Sequence, residues 1–115
     1  MTTKNNKIDY VEFAAEDLGA FKTFYGSVFG WTFQDWGPDY ISFDGAGLEG
    51  GVRGGEKPTP GGALVILYAD EIDKTEKRVR AAGGAVTDHH EFPGGKRFHF
   101  TDPCGNALAV WTKAE

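Results

Sequence analysis

Hydrophobic and polar residues alternate along this chain in short stretches punctuated by glycine. Residues 8–14 place Ile8, Tyr10, Glu12 and Ala14 on one face and Asp9, Val11 and Phe13 on the other, the period of a strand. Past Asp17 the period changes. Leu18, Phe21, Phe24, Tyr25 and Val28 recur at helical spacing, with Asp17 as N-cap and Gly30 as the stop. Residues 31–35 and 40–44 read as short strands around the turn-forming "WGPD", and 47–53 as a fourth, glycine-rich strand.

The same order then returns. Residues 63–69 predict a strand, about 70–82 a helix stopped by Gly83-Gly84, and 85–92, 97–101 and 107–112 three more strands. "YVEFAAEDL" at 10–18 and "LVILYADEI" at 64–72 superpose without gaps at an offset of 54. "FDGAG" at 43–47 meets "TDPCG" at 101–105 if four residues are inserted in the second half. The chain therefore reads as one α+β domain of two βαβββ modules, about 8–53 and 63–112, joined by the breaker-rich linker 54–62. A helix that crosses between strands packs on one face of its sheet, leaving the other face free to curl around something.

Composition narrows the class. The 115 residues, 40% hydrophobic and 14% aromatic, suit one packed globule. No apolar run approaches the roughly 20 residues that span a bilayer. The polar stretch 1–7 carries no apolar secretory segment, and the single Cys104 rules out an internal disulfide, so a cytoplasmic location is expected. Net charge is −5, and Lys74, Lys77, Arg78 and Arg80 sit among Asp73 and Glu76 as a solvated helix face. Neither nucleic acid nor an anionic membrane is expected as a partner.

The two βαβββ halves, "EDLGAFKTFYGSVFGW" after the first strand and the closing "FTDPCGNALAV" resemble the vicinal-oxygen-chelate superfamily. That superfamily includes glyoxalase I, extradiol dioxygenases, fosfomycin-resistance enzymes and bleomycin-binding proteins. The resemblance implies curled mixed sheets forming a cup, and, in metal-dependent members, one ligand from the first and one from the last strand of each half. The corresponding positions here hold Tyr10, Gly51, Leu64 and Ala109. Leucine, alanine and glycine side chains offer no donor, and tyrosine is a poor ligand unless ionised. No metal is expected at these positions. The small Gly51 and Ala109 are expected to leave volume where a metal and its ligands would stand.

Other constellations are weaker. His89 and His90 are adjacent in a strand, so they face opposite ways and do not share one ion. His99, in "RFHFTD", reads as a sheet histidine with a hydrogen-bond partner. "GAGLEG" at 45–50 matches GxGxxG, but no helix follows to receive a pyrophosphate. Cys104 reads as a turn residue. Glu12 should point into the cup with Tyr10, in largely apolar surroundings, and is either paired with Arg97 or His99 or engaged with a ligand. Ile66 and Tyr68 of the second half, and Ala107, Ala109 and Trp111 of the last strand, complete the expected lining.

These residues suit a small, partly aromatic or apolar molecule. The expected function is metal-free binding of such a molecule, as in bleomycin-resistance-like sequestration. The alternative is an enzyme. It would be either a metal-dependent lyase, isomerase or dioxygenase of the glyoxalase type, or a metal-free acid–base catalyst using Glu12, Tyr10 or His99. The resemblance also implies a homodimer.

Overall fold

A computed structural model describes residues 5–6, 8–59 and 61–115. Residues 1–4 and 7 of the polar start, and Pro60 of the linker, lie outside the described residues. The first module runs β1 (Tyr10–Ala15), α1 (Leu18–Phe29), β2 (Thr32–Asp35), β3 (Tyr40–Asp44) and β4 (Glu49–Gly54). The second runs β5 (Val65–Tyr68), α2 (Ile72–Ala81), β6 (Ala85–Phe92), β7 (Gly95–Thr101) and β8 (Ala107–Lys113). No helix of the described residues is long and apolar enough to cross a membrane.

The modules repeat one topology. The sheets order as β1-β4-β3-β2 and β5-β8-β7-β6, each with one parallel pair, β1 with β4 and β5 with β8. Glu12 pairs with Gly51 and, in the second sheet, Ile66 with Ala109. These two pairs correspond under the offset of 54 and the four-residue insertion read from the sequence. The internal repeat is therefore a repeat of register as well as of element order.

Local signals account for the helix ends. Asp17 Oδ1 accepts the Ala20 N–H at 3.2 Å, satisfying one of the free amides at the start of α1. Gly30 closes it in the left-handed region, at φ 75°, where a side chain would be strained. The apolar stripe of α1 buries Phe21, Phe24, Tyr25 and Val28 against its sheet. Tyr25 stacks on Trp31, and Trp31 on Phe43, each pair with ring centroids 4.7 Å apart. Phe24 and Phe29 reach across to Phe100 of β7, at 5.8 and 6.2 Å, so one aromatic core serves both modules. In α2 only Ile72 and Val79 are buried, and its outer face is laced by the Arg80–Glu76 ion pair at 3.0 Å.

The turn Asp102-Pro103-Cys104-Gly105-Asn106 does more than connect β7 to β8. Its two polar side chains are buried at the junction between modules. Asp102 Oδ1 accepts the backbone N–H groups of Cys104 at 2.8 Å and Asn106 at 2.9 Å. Asp102 Oδ2 accepts the hydroxyl of Tyr25, on α1, at 2.8 Å, and Asn106 Nδ2 at 3.1 Å. Asn106 Nδ2 also donates to the Ala14 carbonyl of β1 at 2.9 Å. Burial, with the Asp102 carboxylate beside it, holds the Tyr25 phenol well above its ordinary pKa.

Tyr25→Phe removes one hydrogen bond from an oxygen that keeps another donor, and should lower stability by about 1 kcal/mol. Asp102→Ala leaves a buried phenol and two backbone N–H groups without acceptors, and should cost about 3 kcal/mol or more. Urea denaturation measures both; equal losses would show that Asp102 serves Tyr25 alone.

Candidate functional site

With both helices on one side of their sheets, the opposite faces stay open. On the first sheet, β1 sets Glu12 opposite Gly51 and Ala14 opposite Arg53, while β3 sets Tyr40 opposite Arg53 and Ser42 opposite Gly51. Paired residues share a face, so Tyr10, Glu12, Tyr40, Ser42 and Arg53 gather around Gly51. Tyr40 Oη donates to Glu12 Oε2 at 2.8 Å, and the Tyr10 and Tyr40 hydroxyls lie 2.7 Å apart. Glu12 Oε1 is 3.4 Å from Arg53 Nε, which is equally far from Glu56 Oε2.

This chain has a direction. A phenol carries one proton, and that of Tyr40 goes to the carboxylate. Tyr10 must therefore donate to Tyr40, which leaves the Tyr10 oxygen as an acceptor facing outward. Burial, followed by the hydrogen bonds to Tyr10 and Glu12, pushes the Tyr40 pKa well above its ordinary value. Beside the chain, Tyr10, Trp36, Asp44 and Glu49 line a groove of about 490 Å³. Trp36 Nε1 donates to Ser42 Oγ at 2.8 Å, and its indole remains 60% exposed.

Two expectations are corrected here. Glu12 is half-exposed and paired with Tyr40 and Arg53, not with Arg97 or His99, which belong to the other sheet. The space over Gly51 is not vacant, because a Cβ there would meet the hydroxyls of Tyr40 and Tyr10. The sequence marked 40–44 only as a short strand, and the register that brings Tyr40 to Glu12 is a product of pairing.

The second sheet presents a different face. Ile66 lies opposite Ala109, Tyr68 and Arg97 opposite Trp111, His99 opposite Ala109, and Thr101 opposite Ala107. Tyr68 and Trp111 meet edge to face at 5.1 Å. A bulge between Val86 and Asp88 shifts the register of β6, so Asp88 sits opposite His99 and His90 opposite Arg97. Without the extra residue these two side chains would point toward the helix. His89 does point there, with Nε2 at 3.0 Å from both Glu76 carboxylate oxygens. Burial alone would raise the Glu76 pKa, but the hydrogen bonds from His89 and Arg80 outweigh it and hold the group below its usual value. His90 and His99 rings stand 5.2 Å apart, nearly perpendicular.

His99 departs from expectation. Its Nε2 is shielded from solvent and has no hydrogen-bond partner among the described residues. Desolvation, then the positive fields of Arg97 and His90, lower its pKa; Asp88 opposes them weakly.

The positions that the superfamily uses for metal ligands are open to a fit test. Ala109 is fully buried, Leu64 stands exposed just before β5, and Gly51 lies beneath two phenols. Only Tyr10 has a donor atom, already committed to Tyr40. Among the described residues no group of three or more His, Cys, Asp or Glu side chains is arranged to hold a metal ion. The residues present do not fit a divalent cation. Nor is Cys104 an activated thiol: burial, with Asp102 and Asp17 nearby, raises its pKa to about 11.

The model of the Glyoxalase/Bleomycin resistance protein/Dioxygenase superfamily matches residues 7–110, and the chain belongs to that superfamily. Solved structures agree on the fold. A glyoxalase/bleomycin resistance protein/dioxygenase family enzyme from Burkholderia phytofirmans aligns with a TM-score of 0.80 at 18% identity, covering 92% of this chain and 98% of the other. Lactoylglutathione lyase from Agrobacterium tumefaciens aligns at 0.74 and 22% identity, covering 96% of each chain. A fosfomycin resistance protein from Listeria monocytogenes, complexed with Mn(II) and a dihydroxypropylphosphonic acid, aligns at 0.83 and 15% identity, covering 96% of this chain and 93% of the other. No curated protein sequence matches the chain.

The depressed His99 pKa has a stability consequence. The unfolded chain binds a proton at this histidine before the folded one does, so its contribution is complete above the ordinary value of 6.5 and is lost as pH falls through the folded pKa. His99→Gln should flatten the decline of stability below pH 6.5, read as melting temperature against pH; an unchanged slope would remove His99 from this role.

Proposed function

We propose that this protein binds a small, partly apolar molecule without a metal, in a cytoplasmic setting. The observation that carries the reading is the pair of open sheet faces. One displays a directed Tyr10–Tyr40–Glu12 hydrogen-bond chain, the other an apolar and aromatic row of Ile66, Tyr68 and Trp111. Tyr10, Leu64, Ile66 and Tyr68, on or beside the edge strands β1 and β5, are each between 38% and 44% exposed. The metal-ligand positions supply no donor set, which favours binding over chelate chemistry.

A second copy of the chain completes the cup in this proposal. The first face is mainly acidic, with Glu12, Asp44 and Glu49 against Arg53. The second carries Arg97 and Lys113 against Asp88. Docking the first face of one copy toward the second face of another brings opposite charges together and shields the apolar row. A metal-free acid–base enzyme is the second reading, favoured by the direction of the phenol chain, since the Tyr10 oxygen is poised to accept a proton-bearing group.

Purified protein should contain no stoichiometric transition metal, and treatment with a chelator should leave its melting temperature unchanged; bound metal lost on chelation would overturn the reading. Sedimentation should give twice the chain mass, and a monomer at micromolar concentration would remove the shared cup. Ligands found in a thermal-shift screen should raise the melting temperature in proportion to the logarithm of their concentration at saturation.

A further inference from the structure

The groove on the first sheet takes its lining from one face of that sheet. Tyr10 pairs with Glu49 across β1 and β4, and Gln34 with Ser42 and Thr32 with Asp44 across β2 and β3. All of them line the same cavity of about 490 Å³, a volume within the range of small-molecule sites. Phe43 pairs with Gly50, so Asp44 and Glu49 stand together at one end of the β3–β4 ladder. Like charges placed side by side on a sheet repel. Glu12, on the same face, has Arg53. Asp44 and Glu49 have no Lys, Arg or His within ion-pair distance among the described residues, and the lining of the groove holds no such residue.

Two further groups have spent their hydrogens inside the sheet. Tyr10 donates to Tyr40, which donates to Glu12, so Tyr10 Oη offers the groove a lone pair and no proton. Trp36 Nε1 donates to Ser42 Oγ, which fixes the indole at the wall of the groove and leaves it 60% exposed. An occupant therefore meets two carboxylates, a phenol acceptor and an aromatic face.

We propose that this groove holds an organic ammonium, its charged head among Asp44, Glu49 and Tyr10 and its apolar body against the Trp36 indole. The inference rests on the binding reading above and names the class of ligand. A primary ammonium brings three donors and no acceptor, the complement of a site built from acceptors, and its hydrogen bonds to carboxylates are charge-assisted. Its charge also relieves the repulsion between Asp44 and Glu49. The indole face attracts a cation and packs against hydrocarbon. A bare divalent ion suits the groove less, since it asks for six or so oxygen ligands and gains nothing from the exposed ring.

The test compares three probes of similar shape: 2-naphthylmethylamine, protonated at neutral pH, the uncharged 2-naphthylmethanol and the anionic 2-naphthoate. Affinities are read by calorimetric titration and by the shift of the Trp36 indole N–H resonance. The amine should bind at least about tenfold tighter than the alcohol, and the naphthoate most weakly. Asp44→Asn combined with Glu49→Gln should abolish that preference and leave the alcohol's affinity in place. Asp70→Asn, which removes a carboxylate beside the second sheet, should preserve it. Trp36→Ala should weaken amine and alcohol together. If the alcohol binds as tightly as the amine, or the preference survives in the doubly substituted protein, the ammonium site is wrong while the binding reading stands. Calcium binding at the same carboxylates more tightly than the amine would make this an inorganic-cation site and overturn the proposal. If none of the three probes binds at millimolar concentration, both fail.

Discussion

The fold depends on a single buried carboxylate. Asp102 gathers four donors at the junction of the modules: two backbone N–H groups of its own turn, the Tyr25 hydroxyl and the Asn106 amide. Asn106 extends the reach to the Ala14 carbonyl of β1. Apolar burial of Phe24, Phe29 and Phe100 pulls the modules together but has little preference for angle. Hydrogen bonds to a desolvated carboxylate do have such a preference, because a misplaced donor leaves a costly unpaired charge. The turn thus sets how the two halves meet, and with them the two open faces.

Those faces show how one topology carries two chemistries. The register is the same in both modules, with Glu12 on Gly51 and Ile66 on Ala109. In the first, the missing Cβ of Gly51 admits two phenols over the backbone, and the face becomes a polar chain ending in an acceptor. In the second, Ala109 is covered and the face is aromatic, with donors along β7. The contrast follows from side-chain substitution and from the β6 bulge, since the strand order is common to both sheets. Superfamily membership fixes the frame, and the residues placed on it decide the chemistry of each face.

Much was legible from local pattern. Strand alternation and helical spacing located all ten elements to within a few residues. The Asp17 cap, the Gly30 stop and the Asp102 turn all appear where short-range chemistry placed them. The internal repeat anticipated the matching registers. These features depend on neighbours within a few positions, whose geometry the backbone constrains directly.

Other features required the folded chain. The partners of Glu12 are 28 and 41 positions away along the sequence, at Tyr40 and Arg53, and only sheet pairing brings them near. The bulge in β6 turned Asp88 and His90 to the open face, a change of parity that alternation cannot foresee. The orphaned Nε2 of His99 and the clamp role of Asp102 likewise depend on what desolvates each group from other elements. The sequence by itself determined which elements form, where they end and in what order they repeat, because those choices are local. Tertiary structure alone decided which polar groups found partners and which did not, because pairing across strands and between modules is a property of distance in space.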